Sequence, residues 1–472
     1  MTNDNGFGTH ILRVAIIGSG PSGFYAAERL EKETGLQVEI DMYDRLPVPY
    51  GLVRGGVAPD HAKIKSVTKV YDKIAADGRF AFYGNVTFGL DLTLDDLAQY
   101  YHAVIFAVGA QSDRRMNIPG EDLPGSHAAT EFVGWYNAHP DYRDLSFDLS
   151  QERVAIIGNG NVAMDVARIL AKTPPELEST DIADHALEAL RGSCVREIYV
   201  LGRRGPAQAA FTNPEIKELG ELEDAEIVVD PTEAALDDLS RAAVASENDR
   251  STLRNIEILT EYSLRQPERK SRRIIMRFLV SPVELIGTER VEAIKLVRNV
   301  LVQADDGSLR ARATDETETI PVGLVFRSIG YKGVALPGVP FDDRAGVIPN
   351  MQGRVIDPQT KAAVPGLYAV GWIKRGPSGV IGTNKQDAVE TVERLLEDAR
   401  TGQLLAPVQS ERAAIEALLH TRGVNYDTYA DWQALDALEQ ANGQALGRPR
   451  LKFSRVDEML EAVKALRERA GN

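Results

Sequence analysis

Val14–Gly20 reads VAIIGSG, and Val154–Gly160 reads VAIIGNG. Each copy is a short apolar run that breaks into a glycine turn and continues with helical composition. This is how a parallel strand hands a phosphate to a helix N-terminus, where free N–H groups and the positive dipole end attract anions. One copy implies one nucleotide. Two copies in one chain imply two dinucleotides, and so an electron passed between them.

In the first copy, Arg13–Ile17 reads as a buried strand. GSGPSG then places Gly18, Gly20 and Gly23 in the pattern G-x-G-x-x-G. The first glycine permits the tight turn, the second lets a pyrophosphate approach the backbone, and the third lets helix and strand pack closely. Phe24–Leu30 has helical composition, and a second strand over Val38–Tyr43 ends in Asp44. An acid roughly 20 residues past the turn holds a ribose hydroxyl in such sites. A glycine turn alone is equally an ordinary bend. Strand, glycines, helix, strand and acid together specify a nucleotide.

In the second copy, Arg153–Ile157 is the strand, and GNGNVA puts Gly158, Gly160 and Ala163 at the same three places. Ala163–Leu170 continues as a helix. The next strand, Val195–Leu201, runs into Gly202-Arg203-Arg204-Gly205. Where the first copy holds an acid, this one holds two arginines. A guanidinium fork fits a 2′-phosphate, so the second turn is expected to prefer NADP(H) over NAD(H). The interval is longer than usual and requires Thr173–Arg191 to be a partly helical insertion.

A third signal closes the core. Gly366–Val370 reads as a strand, Gly371–Asn384 as a glycine-rich link, and Asp387–Leu396 as a helix. Backbone N–H groups at that helix start would stabilise the negative charge of a reduced flavin. Trp372 would cover the flavin or the nicotinamide, or simply fill the core. Val104–Gly109 and Leu324–Gly330, apolar strands ending in glycine, are candidates for the two chain crossings between a nested domain and its host.

The 472 residues suffice for about three domains, at ~150 residues each. The net charge of −15 makes nucleic acid and anionic membrane poor partners. No apolar stretch approaches the ~18 residues of a membrane span. The opening MTNDNGFGTH has neither the basic-then-apolar layout of a secretory signal nor the look of a transit peptide. One cysteine, Cys194, excludes an intrachain disulfide, a CxxC redox pair and an iron–sulfur cluster bound by this chain alone. A reducing, cytoplasmic setting is expected. The histidines show no metal-ligand spacing, so no metal site is expected.

PYGLVRGGVAPDH (Pro49–His61), GNGNVAMDVARIL (Gly158–Leu170), GRRGPAQAAF (Gly202–Phe211) and GWIKRGPSGVIGTNK (Gly371–Lys385) closely resemble the adrenodoxin-reductase-type ferredoxin–NADP reductases. The resemblance runs over nearly the whole chain. It implies an α/β fold of two nested Rossmann-like dinucleotide-binding domains: an FAD domain with an inserted NADP domain, plus a C-terminal helical extension. The expected boundaries are 1–112 and 332–472 for the FAD domain, 113–331 for the NADP domain, and about 408 for the start of the extension.

Carried over by motif, FAD contacts fall at Gly23, Asp44, Leu52, Val86, Trp372 and Gly379-Val380-Ile381. NADP contacts fall at Gly160, Asn161, Val162, Arg203, Arg204, Glu215 and Gly379. Asp44 replaces a glutamate often found there and keeps its charge. His61 and Glu215 are the candidates for proton handling or nicotinamide orientation.

The implied reaction is hydride transfer from NADPH to FAD, then single electrons to a ferredoxin-like iron–sulfur protein, with a monomer favoured. An acidic ferredoxin needs a basic landing surface. Lys63, Lys65, Lys69 and Lys73 form one candidate, and Arg269, Lys270, Arg272, Arg273 and Arg277 another. The alternatives are an NADP(H)-binding redox sensor and another NADPH-dependent flavoprotein electron-input subunit.

Overall fold

A computed structural model of the chain describes residues 11–266 and 268–470. The opening MTNDNGFGTH, read above for targeting signals, lies outside them.

The first copy of the repeated phrase forms the strand Leu12–Ile17 at the heart of a seven-stranded sheet. It pairs in parallel with Val38–Tyr43 on one side and Ala103–Phe106 on the other. Phe80–Tyr83 extends the sheet beyond Val38–Tyr43. Ala363–Ala369, far along the chain, returns in parallel beside Ala103–Phe106. The antiparallel strands Arg354–Ile356 and Asn350–Met351 finish that edge. Consecutive parallel strands need helical crossovers, and the apolar runs VAII and VIF, buried on both faces, are what such strands require.

The second copy, Arg153–Ile157, lies inside a separate six-stranded sheet in which every pairing is parallel. Its strands all come from between Ser126 and Arg327. Helices cover one face of it. The other face is covered by a three-stranded antiparallel sheet, Val280–Ile286, Ala293–Gln303 and Leu309–Pro321, which packs Leu285, Ile294 and Leu296 onto Ile157 and Leu201. Thr173–Arg191 contributes two helices, Pro174–Glu178 and Asp184–Arg191.

Between the sheets the chain crosses twice. Ser112–Asp113 pairs antiparallel with Tyr331–Lys332. The strands Ala103–Phe106 and Leu324–Arg327, expected to mark the crossings, instead belong to the two sheets themselves. The crossing is this short ribbon just beyond them, where the chain has left the hydrogen-bonding ladder of each sheet.

The last helices, Arg412–Thr421, Tyr429–Gln444 and Val456–Ala470, pack on the first sheet. Trp432, Leu435, Met459 and Val463 join one of its cores, and Ile415 and Leu419 the other. The extension also reaches the second sheet's side of the molecule. Arg448 donates to the Thr180 carbonyl at 3.2 Å, the buried Lys452 ammonium lies 3.3 Å from Asp181, and Arg455 pairs with Asp144 at 3.1 Å. The extension thus straps both halves, a contact that packing on the first sheet alone would not give.

Among the described residues no helix is long and apolar enough to cross a membrane.

Candidate functional site

At the first turn Gly18 adopts φ +105°, and a Cβ there would lie 2.6 Å from the Ala107 carbonyl oxygen. A Cβ on Gly23 would lie 2.4 Å from the Gly18 carbonyl oxygen. Gly20 differs: nothing lies within 4 Å of a Cβ there. The open position is the one where a pyrophosphate must approach. Gly20 also precedes the helix Pro21–Glu31, which no side chain caps, so its first N–H groups are free for an anion. Asp44 sits beside the turn and accepts from the Ser19 backbone N–H at 3.0 Å and its hydroxyl at 2.5 Å. Val86 is buried, and its N–H donates to the Asp44 carbonyl at 2.9 Å. Leu52 is exposed.

The closing segment comes to this same turn. A Cβ on Gly371 would meet the Ser22 hydroxyl at 2.6 Å. The Gly371 N–H donates to Asp387 at 2.5 Å. The observed strand is Ala363–Ala369, and the helix starts at Thr383, four residues before the expected Asp387, again with no side-chain cap. Gly379 and Val380 are exposed at its approach, and Ile381 is half-buried. Trp372 packs on Tyr331 with ring centroids 5.1 Å apart, and its indole N–H is buried with no acceptor in the protein. Tyr331 lies in the crossing ribbon, so Trp372 stands where the two halves meet.

The second turn repeats this backbone. Gly158 has φ +118°, and a Cβ would lie 2.1 Å from the Ser328 carbonyl oxygen. Gly160 is open and precedes the uncapped helix Asn161–Ala171. Asn161 accepts from the Thr212 N–H at 2.9 Å, and Val162 is half-buried on the first helical turn.

Ile17 pairs with Tyr43 and Ile157 with Leu201, so the position equivalent to Asp44 is Gly202. The arginines fall one and two residues beyond it, a shift that the expectation of one shared slot did not contain. Arg203 is exposed and Arg204 half-buried, and no carboxylate lies within ion-pair distance of either among the described residues. Burial, reinforced by the Arg203 charge, pulls the Arg204 guanidinium below its ordinary range. Two adjacent unpaired cations are a site shaped for an anion.

Between the halves lies a charged cluster. His61 Nε2 is 2.9 Å from Glu218, and Nδ1 is 3.8 Å from Asp165. Arg168, 1% exposed, donates to Asp60 at 2.8 Å, Asp165 at 2.6 Å and Glu215 at 3.1 Å, while Lys172 reaches Asp60 at 3.0 Å. Glu215 sits on the helix Asn213–Leu219, which starts just after the Asn161 contact. Burial, then the charge of Asp165, pushes its carboxyl up to about 7. Burial also raises Asp165, against Arg168 and His61. At Asp60 burial acts upward too, but Arg168 and Lys172 outweigh it and hold the carboxyl below the usual range.

His61 and Glu215, selected separately in the sequence, therefore share one cluster. His61, Glu215 and Glu218 bring ligand-type atoms within 4.8 Å of one another. Arg168 lies 3.1 and 3.7 Å from the two carboxylates, so a guanidinium already balances their charge. Asp60, Asp165 and Arg168 were not singled out as functional. The signal for Asp165 and Arg168 was a charged pair at i, i+3 within the otherwise apolar VAMDVARIL.

Of the two basic clusters, the second is mostly internal structure. Arg272 is buried on backbone carbonyls, Arg273 pairs with Glu197, Arg277 with Glu233 and Glu318, and Lys270 with Glu268. Arg273 faces Glu197 on the neighbouring strand, and Arg277 meets carboxylates from the short helix Pro231–Ala234 and from the antiparallel sheet, which a charge count along the chain does not reveal.

Residues 12–198 match the family described as pyridine nucleotide-disulphide oxidoreductase. With its single cysteine this chain cannot form the internal disulfide of that name. NADPH-ferredoxin reductase FprA of Mycobacterium leprae is 49% identical, covering 96% of this chain and 98% of its own. Human mitochondrial NADPH:adrenodoxin oxidoreductase is 43% identical, covering 96% and 92%. A solved structure of Mycobacterium tuberculosis FprA in complex with NADPH superposes with a TM-score of 0.90 at 48% identity, covering 96% of this chain and all of that one. Identity of this degree over nearly full length, joined to a matching fold, places the chain in the family of adrenodoxin-reductase-type NADPH–ferredoxin reductases.

Proposed function

We propose that this chain is an FAD-dependent NADPH:ferredoxin oxidoreductase, with FAD on the first turn and NADP(H) on the second. The observation that carries the assignment is the asymmetry of the turns: Asp44 beside one, unpaired Arg203 and Arg204 beyond the other. FAD binding is supported by the open Gly20, the free start of Pro21–Glu31, Gly371 against Ser22, and the Trp372 indole N–H awaiting an acceptor. When bound, FAD converts a two-electron hydride into single electrons.

The chain's residues supply position and charge. Gly18, Gly20, Gly23, Asp44, Leu52 and Val86 line the dinucleotide side of the first site, with Trp372 and Gly379–Ile381 at its ring end. Gly158, Gly160, Asn161, Val162, Arg203 and Arg204 grip NADP(H), with Gly379 and Glu215 at the nicotinamide end. Glu215, titrating near neutral pH, holds a proton at its carboxyl part of the time and so can donate as well as accept a hydrogen bond. His61, against Glu218, orients the same end from the other half. We take residues 1–112 and 332–472 as the FAD domain and 113–331 as the NADP domain. The acceptor is a ferredoxin-like iron–sulfur protein, and the enzyme acts as a cytoplasmic monomer.

The test is spectroscopic. The purified protein is yellow, and anaerobic NADPH bleaches it far faster than NADH. Charge-assisted hydrogen bonds contribute about 1.5–3 kcal/mol each. Replacing both arginines, Arg203→Ala with Arg204→Ala, therefore weakens NADPH by on the order of 10²-fold or more and leaves NADH nearly unchanged. A colourless protein sinks the FAD assignment, and equal bleaching by NADH sinks that of the second turn.

A further inference from the structure

We infer that the exposed face of residues 63–73 is the landing surface for the acidic electron acceptor, an inference that rests on the function proposed above. The face is built on two short helices, Ala62–Lys65 and Thr68–Ala75, directly after His61. Lys63, Lys69 and Lys73 are exposed, and among the described residues none has a carboxylate within ion-pair distance. Lys69 and Lys73, one helical turn apart, share a side. Ile64 and Val70 are 42% and 40% exposed in the same stretch. Lys65 is withdrawn: it is largely buried and pairs with Asp181 at 2.6 Å. Asp72, the acid on the second helix, is engaged by the hydroxyls of Tyr50 and Tyr429 at 2.5 and 2.6 Å.

Three exposed lysines without carboxylate partners, with two exposed aliphatic side chains in the same stretch, stand out on a chain of net charge −15. Exposed apolar side chains beside unpaired charge are what a protein interface uses, the charge steering encounter and setting register. Its position fits the same partner. It begins beside His61, whose contact with Glu218 marks the seam between the halves. The rival cluster at 269–277 is mostly neutralised by its own carboxylates.

The test uses the FAD-loaded enzyme and an acidic plant-type ferredoxin as probe. The triple variant Lys63→Glu/Lys69→Glu/Lys73→Glu raises the calorimetric Kd for oxidised ferredoxin at least about tenfold at low salt, and high salt erases the difference. NADPH-driven ferricyanide reduction stays within about twofold of wild type, as expected for rim charges away from the chemistry. The milder Lys→Ala triple gives a smaller shift in the same direction. Reversal of Arg269 and Lys270 leaves Kd unchanged. An unchanged Kd in the Glu triple, or an equal loss in the 269/270 control, overturns the inference while leaving the function intact. Wild type that is bleached by NADPH yet neither binds nor reduces the ferredoxin overturns both.

Discussion

The turns at Gly18 and Gly158 share the residues VAIIG and one backbone, and they part company at the end of the next strand. In both, the first glycine has positive φ and abuts a carbonyl of the neighbouring strand's continuation, and the second faces open space. The shared glycines therefore fix a fold. On the function proposed, what distinguishes the ligands is remote in sequence: Asp44 in one half, Arg203 and Arg204 in the other. The helices differ as well. Pro21–Glu31 packs its apolar face beneath Thr383–Thr401, whereas Asn161–Ala171 carries Asp165 and Arg168 into the seam between the halves.

The largest effect that tests this comparison is in the glycines. Gly158→Ala sets a Cβ 2.1 Å from a backbone oxygen at φ +118° and costs more than about 4 kcal/mol, and Gly18→Ala acts similarly. Gly160→Ala and Gly20→Ala change stability by less than about 1 kcal/mol but weaken the nucleotide on their own side. Thermal melts with and without NADPH read this directly. Equal melting of Gly158→Ala and Gly160→Ala would break the division between a folding glycine and a binding glycine.

Next is Arg168, which has no counterpart on the first helix. Arg168→Leu leaves Asp60, Asp165 and Glu215 facing one another without their shared cation and destabilises the fold by about 3–5 kcal/mol. Chemical denaturation measures it. A near-neutral result would mean that the seam is held elsewhere, with the strap at Arg448 and Lys452 as the alternative.

The smallest effect is a pH dependence. The folded Glu215 carboxyl titrates near 7, above its ordinary value of about 4.5. The folded protein then binds more protons than the unfolded chain across that window, so this group's stabilisation is complete at low pH and is lost as pH rises through about 7. Glu215→Gln, neutral throughout, removes that slope. Melting temperatures of the two proteins should lie closest near pH 4.5, separate in favour of the variant as pH rises to about 7, and keep a constant gap above it. Parallel curves would show that Glu215 is an ordinary carboxylate.

Much of the architecture was legible because it rests on local backbone requirements. A run of β-branched residues ending in a glycine that must take positive φ reads as a strand and turn wherever it occurs, and VAIIG does so twice. Strand ends were off by a residue or two, as at Val195, where the observed strand begins at Glu197. The closing helix began earlier than its apolar periodicity indicated because its first residues, Thr383 and Asn384, are polar and bond back to the Val380 N–H and the Ile381 carbonyl. The two basic clusters look alike in the sequence for a different reason. Arg272, Arg273 and Arg277 look like Lys63, Lys69 and Lys73 in a charge count, and only neighbours brought up by the tertiary fold separate paired charge from free charge.

By itself, then, the sequence determined two strand–glycine–helix units, the acid after one and the arginines after the other, since each depends on residues within one supersecondary unit. Tertiary structure decided how those units share a site. Asp60 and His61 come from one half, and Asp165, Arg168, Glu215 and Glu218 from the other. Their charges acquire meaning only at contact distance in a buried seam, where desolvation magnifies each pairing and moves a glutamate to neutral pH. No spacing along the chain encodes that distance.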